Sequence, residues 1–495
     1  MRSYSEITLT RSRNTAFTAS CQDQIDNGKY DRGRKSALST SAWQDSRPGV
    51  TASLAAVERD YCGSRVRRKP GRTWRALWQF FPKTQHVDSR FISLPSNDNI
   101  GATGGNLIVD TVTSIRPAAS FPLPQSDLES LGFRKGQIDR LIALIERHIA
   151  ENRYPGCQIA LARHGKLALY KSFGNAITDP KPRAAADDTL WLLYSNTKVV
   201  TAVALWALAE RGLFSFADRI ADHVPAFARH AKGNITVLQT ITHRAGFPNA
   251  VVGKDAWADH KRLREVVCDF PLEWTPGSKV HYHGLSAHWT LGVLIEAVTG
   301  KDFRDVIRET VAAPLGLGSE LFVGLPEAEF GRAADMHEPV PNGEGMRRDA
   351  DANSAEWRKG GAPGGAGYGT ARAMAALYQM MLAGGELDGT RIVSPRTLQY
   401  AIRNHTGDLV DEYMGMPMHR GLGPHLRGAT ANIRGLGAFA NPGTFGHGGV
   451  GTSYCWGDPE SGVSFAYVTN NRIPDPWHSK RLDLVANLVH SAILP

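Results

Sequence analysis

Cysteine is scarce in this sequence, and long apolar runs are missing altogether. Cys21, Cys62, Cys157, Cys268 and Cys455 are its five cysteines. An odd number with no CxxC pair argues against a disulfide framework or a structural zinc site, and the simpler reading is isolated thiols. No stretch reaches the roughly 18–20 apolar residues that span a bilayer. The best, Val199 to Ala209, is flanked by Lys198 and Glu210 and reads as a buried helix. The first seventeen residues lack the continuous apolar core of a secretory signal. They are Arg- and Ser-rich like a transit peptide, but Glu6, Asp23 and Asp26 come early for one. A cytoplasmic location is expected.

Charge of one sign is also lacking over most of the chain. The formal net charge is +9, yet residues 1–120 hold 18 Lys and Arg against 10 Asp and Glu, while the rest holds 39 against 38. The basicity belongs to the N-terminal segment, and only there does it bear on a partner. No nucleic-acid partner is expected. Residues 1–120 also lack any sustained helical or strand period. Arg65, Arg67, Arg68 and Lys69, followed by Trp74, Trp78, Phe80 and Phe81, could touch an anionic surface. The simpler reading is a solvated, partly disordered extension of unknown partner.

What is present begins near Ser126, and one domain is expected over 125–495. Ile138, Leu141, Ile142, Leu144, Ile145 and Ile149 fall at helical spacing. Gln158–Ala162 and Leu167–Tyr170 flank His164-Gly165-Lys166 and read as a hairpin. A helix is expected from Ser195 to about Arg211. Strands return near Thr452–Trp456 and Val463–Thr469, and a helical period over Leu482–Ile493 follows. Strands at both ends with helices between suggest one sheet built from both ends of the domain, with a helical lobe inserted.

Three elements could carry chemistry. In Tyr194-Ser195-Asn196-Thr197-Lys198, Ser195 and Lys198 share a helix face. A serine hydroxyl is a poor nucleophile until a base takes its proton, and a desolvated amine can be that base. The pattern alone is common, and Ser195 could be a helix cap with Lys198 in solvent. Against that, Lys198 opens an apolar run, TKVVTAVALWALA. The second element is Pro276 to Gly284, where Tyr282 could shuttle a proton or simply pack. The third is Phe445-Gly446-His447-Gly448-Gly449-Val450-Gly451, whose small residues let a backbone edge approach a substrate, or make a hairpin turn.

Together and in this order, the three resemble the serine β-lactamases, penicillin-binding peptidases and related esterases, especially the class C type. The stretch Asn234 to Pro248 and the segment from Gly369 to Arg391, with its Gly384-Gly385-Glu386 turn, resemble further family signatures. The resemblance implies an α+β fold of the β-lactamase/transpeptidase type: a mostly antiparallel sheet flanked by helices, with an all-helical lobe. It implies Ser195 as acylated nucleophile, Lys198 as base or relay, and Tyr282 as proton exchanger. His447 stands where that family has the Lys of Lys-Thr-Gly, Gly448 and Gly449 follow it, and the N–H groups of Ser195 and Val450 would bind the oxyanion. No metal or cofactor is implied.

Two departures shape the expected activity. Gly284 stands where the motif has Asn, and His447 binds a substrate carboxylate less well than a lysine. An esterase-like hydrolase acting on a small ester or amide is therefore expected. The alternatives are a β-lactamase or D-amino-acid peptidase, or a non-catalytic binding protein on the same scaffold. Gly284-Leu285-Ser286-Ala287-His288 nearly matches a GxSxG elbow but fails at its last Gly. His281, His283 and His288 lack a carboxylate partner for a metal and are expected at the surface or behind the site. Lys359 to Gly367 lacks a P-loop ending and is expected to be a flexible loop near the cleft.

Overall fold

Alternation along the strand Gly156–Arg163 sets up the two layers of the core. In a computed structural model, which describes residues 121–341, 344–430 and 435–495, seven strands form one antiparallel sheet. They are β1 (Gly156–Arg163), β2 (Lys166–Ile177), β3 (Arg183–Ala184), β4 (His425–Leu426), β5 (Phe445–Gly448), β6 (Tyr454–Asp458) and β7 (Val463–Thr469), in the spatial order β4-β5-β6-β7-β1-β2-β3. The sheet is thus assembled from both ends of the domain. The extension expected at 1–120, with its basic and aromatic cluster, lies outside the described residues.

Ile159 and Leu161 pair with Tyr467 and Phe465. These large side chains share a core with Ile138, Leu141 and Ile145 of α1 (Lys135–Ala150) and with Leu482 and Val485 near the chain's end. On the opposite face Ala160 pairs with Ala466 and Ala162 with Ser464. Small residues there let a helix close on the sheet, and Gln379 of that helix (Ala371–Leu382) reaches Ala162 O at 3.2 Å and Ser464 Oγ at 3.1 Å.

The helical lobe is inserted between β3 and β4. Its centre is α2 (Thr197–Glu210), every residue of which is buried from Thr197 to Leu208. A helix apolar all round must lie inside. Packed around it are α3 (Ser286–Thr299) and shorter helices at Val237–Ile241, His260–Cys268 and Phe303–Ile307, with Trp206, Leu263, Trp289 and Phe303 in one apolar cluster. We number the two later helices α4 (Ala371–Leu382) and α5 (Trp477–His490).

Boundaries differ from the sequence reading at several places. β2 runs to Ile177, because its polar residues Lys171, Ser172 and Asn175 lie half-buried or exposed while the backbone continues to pair. β6 starts at Tyr454 and not Thr452, since Thr452 and Ser453 belong to the turn after Gly449. The last helix covers 477–490, starting after Pro476, where a polar-looking WHSKR turn buries Arg481 against the sheet.

Candidate active site

A strained turn presents the serine. Tyr194 has φ +44°, left-handed for a bulky residue, and such strain persists only where the surroundings impose it. Thr197 Oγ1 donates to Tyr194 O at 2.6 Å, and Asn196 Nδ2 donates to Leu193 O at 3.2 Å and to Ser453 Oγ at 2.8 Å. The chain leaves a strand at Trp191–Leu192, makes a short 3-10 turn over Tyr194–Asn196, and enters α2. Ser195 therefore sits half-buried on that turn, just before the α-helix expected to begin with it.

Lys198 is fully buried one turn further on. Its Nζ lies 3.2 Å from Ser195 Oγ, 2.7 Å from Gly284 O and 2.6 Å from Gly364 O. Burial, helped by the positive charge of Arg420, holds this amine well below its usual protonation range. A neutral amine has two N–H groups and one lone pair. The two carbonyls take the hydrogens, so the lone pair is left for the serine hydroxyl. The Tyr282 hydroxyl donates to the same Ser195 Oγ at 2.8 Å. Burial pushes this phenol up to about 12, so it carries its proton at neutral pH.

The glycine turn closes the far side. Gly449 N–H donates to Ser453 O at 2.8 Å. A Cβ on Gly449 would lie 2.6 Å from Ser453 Oγ and 2.8 Å from Leu193 O, so only glycine allows this turn to meet the residues that carry Ser195. A Cβ on Gly448 would run into the Tyr454 ring at 2.7 Å. Val450 beside them is exposed. Neither the Ser195 nor the Val450 N–H donates to another group among the described residues, which suits a pair waiting for an oxyanion. His447 is buried, with Nδ1 2.9 Å from Gly448 O and Nε2 without a partner among the described residues. Burial pulls it down to about 3, so it is neutral.

All the residues singled out from sequence meet here: Ser195, Lys198, Tyr282, His447, Gly448, Gly449 and Val450. Gly284 contributes its carbonyl to Lys198 in place of a side-chain amide, and space above it is open. One expectation needs correction, that of the glycine-rich stretch after Lys359. Of the histidines expected at the surface or behind the site, His283 and His288 are fully buried behind it, with His281 half-buried. His283 Nδ1 donates to His281 O at 2.7 Å and Nε2 accepts from Phe247 N–H at 3.2 Å, a packing role set by local geometry. The stretch Gly361 to Gly367 is a buried wall and not a loose loop, since Gly364 O holds Lys198 and Pro363 O accepts from Thr201. Sequence reasoning missed Gly364, His243, Asp411 and Arg420. For Gly364 the signal was a glycine run opposite an unexplained buried lysine. For the ion pair there was none.

Comparison with known proteins gives consistent results. The Beta-lactamase family model matches residues 141–490. Esterase/beta-lactamase LipL of Mycobacterium tuberculosis is 31% identical over 75% of this chain and 89% of its own. A solved penicillin-binding protein homolog from Caulobacter crescentus has 25% identity and a TM-score of 0.64, over 73% of this chain and 99% of its own. A family VIII carboxylesterase has 27% identity and a TM-score of 0.62 over the same shares. Among the described residues no helix is long and apolar enough to cross a membrane.

Proposed function

Because this chain belongs to the β-lactamase family and is a serine hydrolase, we propose that it works through an acyl-enzyme on Ser195 and cleaves small uncharged esters. The observation that carries this reading is the Lys198 amine, whose two N–H groups are occupied by the Gly284 and Gly364 carbonyls and whose third direction meets Ser195 Oγ at 3.2 Å.

The steps follow from that geometry. Ser195 Oγ attacks the ester carbonyl carbon while its proton passes to Lys198 Nζ. The carbonyl oxygen becomes an oxyanion between the Ser195 and Val450 N–H groups. Collapse breaks the bond to the alcohol, whose oxygen takes the Tyr282 phenol proton. The proton held on Lys198 then passes to the Tyr282 phenolate oxygen, which restores the neutral amine and the phenol while Oγ stays acylated. Water repeats the sequence on the acyl-enzyme, and ester plus water yields acid plus alcohol.

An ester is favoured over a β-lactam or a peptide ending in D-amino acid carboxylate because those substrates present a carboxylate. His447 is held neutral, and Arg420 is already paired with Asp411. A substrate carboxylate would therefore meet no free cation among the described residues at this position. Purified protein tested on p-nitrophenyl acetate, nitrocefin and a D-Ala-D-Ala peptide decides the matter. Turnover of the ester at least a hundredfold faster than the other two is expected. Faster turnover of nitrocefin or the peptide would overturn the preference.

A further inference from the structure

One ion pair beside the site has no place in the steps above. Asp411 is fully buried and Arg420 almost so. Arg420 Nε donates to Asp411 Oδ2 at 3.0 Å, and a second guanidinium nitrogen binds the same oxygen. Asp411 Oδ1 accepts the Tyr282 N–H at 3.1 Å, the Tyr413 N–H at 3.1 Å and the Met414 N–H at 3.3 Å. Burying a charge pair seldom improves stability over an apolar packing of the same volume. This one is aimed at the phenol: the guanidinium carbon lies 5.0 Å from the Tyr282 ring centroid, the same separation at which Lys198 Nζ approaches that ring.

We infer that Arg420, clamped by Asp411, is a positioning residue of this centre: it fixes the Tyr282 ring against Ser195 and places a permanent positive charge near the Lys198 amine. Asp411 secures the backbone of Tyr282, and Arg420 covers its ring, so one carboxylate sets both ends of the proton donor. The Asp411 carboxylate opposes the guanidinium at the phenol, with the smaller effect of the two; the rings around it carry no charge. His243, from the segment after Val237–Ile241, lies 4.7 Å from the Tyr282 ring; His447 of β5 lies 6.3 Å away, and Tyr413 5.8 Å. Burial holds His243, His447 and also His283 and His288 neutral. Arg420 is thus the fixed cation facing a base that must stay unprotonated, and repulsion between like charges favours the neutral amine. The phenol gains as well, because a cation on its face eases loss of its proton to the leaving group.

The inference rests on Lys198 acting as the base for Ser195, and the test separates the two. The full chain is prepared as wild type, Arg420→Met and Arg420→Lys, each checked for folding by circular dichroism. Asp411→Leu/Arg420→Met, which buries no lone charge, replaces the methionine variant if that one does not fold. Hydrolysis of p-nitrophenyl acetate is followed from pH 5 to 10. The methionine variant is expected to lose at least tenfold in kcat with little change in KM. Its acid limb should move to higher pH by about one unit, the size of one unit charge at several ångströms in a partly screened interior. The double variant should move the same way. Arg420→Lys should restore the limb. An unmoved limb, or a lysine variant that shifts like the methionine one, would overturn the role. A fluorophosphonate that fails to label Ser195 of the wild type would overturn the underlying reading, and this one with it; a labelled wild type with unmoved limbs would overturn only Arg420.

Discussion

Replacing Lys198 with methionine removes the amine while nearly keeping its volume. Three consequences can be worked out from its contacts. The base at 3.2 Å from Ser195 Oγ is gone, and loss of a general base typically costs about 10²- to 10⁴-fold in rate, or roughly 3–5.5 kcal/mol of barrier. Gly364 O, fully buried, loses its donor, at about 1–3 kcal/mol. Gly284 is exposed, so its carbonyl can turn to water at lower cost. Against these losses, folding no longer has to strip water from an amine. The variant should therefore stay folded, destabilised by no more than about 3 kcal/mol, while kcat/KM for p-nitrophenyl butyrate falls at least a hundredfold. Thermal melting and steady-state kinetics on one preparation check both. A folded variant with a rate within tenfold of wild type would refute the assignment of the base.

Other outcomes follow from the same geometry. The pH profile of kcat/KM should have an acid limb only. Activity needs neutral Lys198, whose protonation is suppressed by burial, so the rate falls as pH drops through that lowered value; Tyr282 keeps its proton to about 12, so no loss from the phenol is expected up to pH 10.5. A stopped-flow profile with a clear alkaline limb below pH 10 would contradict this. Gly449→Ala should lower kcat by about 10²-fold or more by pushing the turn off Leu193 and Ser453, with a stability loss of about 1–3 kcal/mol, read by kinetics and melting. Deleting residues 1–115 should leave ester hydrolysis intact, because each group of the site lies between 195 and 450; an inactive but folded truncation would show that the extension contributes to the site.

How far the sequence discloses this arrangement depends on distance along the chain. Ser195 and Lys198 are one helical turn apart, so their meeting could be read from spacing and from a charge opening an apolar helix. Tyr282 and the Gly448–Gly449 turn became legible only through the order of motifs in a resembling family. The sheet built from both ends was legible because β1 and β7 are apolar and alternate in size. What stayed hidden depends on tertiary contact. The carbonyl of Gly364 has no side chain to advertise it, and the pairing of Asp411 with Arg420 exists only because the chain folds the 411–420 segment over Tyr282. The first turn of α5 looked polar because Arg481, buried among Tyr154, Tyr467 and Trp477, reads as a surface residue in sequence.

Trapping the covalent intermediate tests the central claim most directly. The protein is mixed with a slowly released p-nitrophenyl ester, quenched in acid within milliseconds, and mapped by peptide mass spectrometry. One acyl group on the peptide containing Ser195, absent from Ser195→Ala, is the predicted result. An acyl group on another residue, or hydrolysis at full rate by the Ser195→Ala variant, would contradict it.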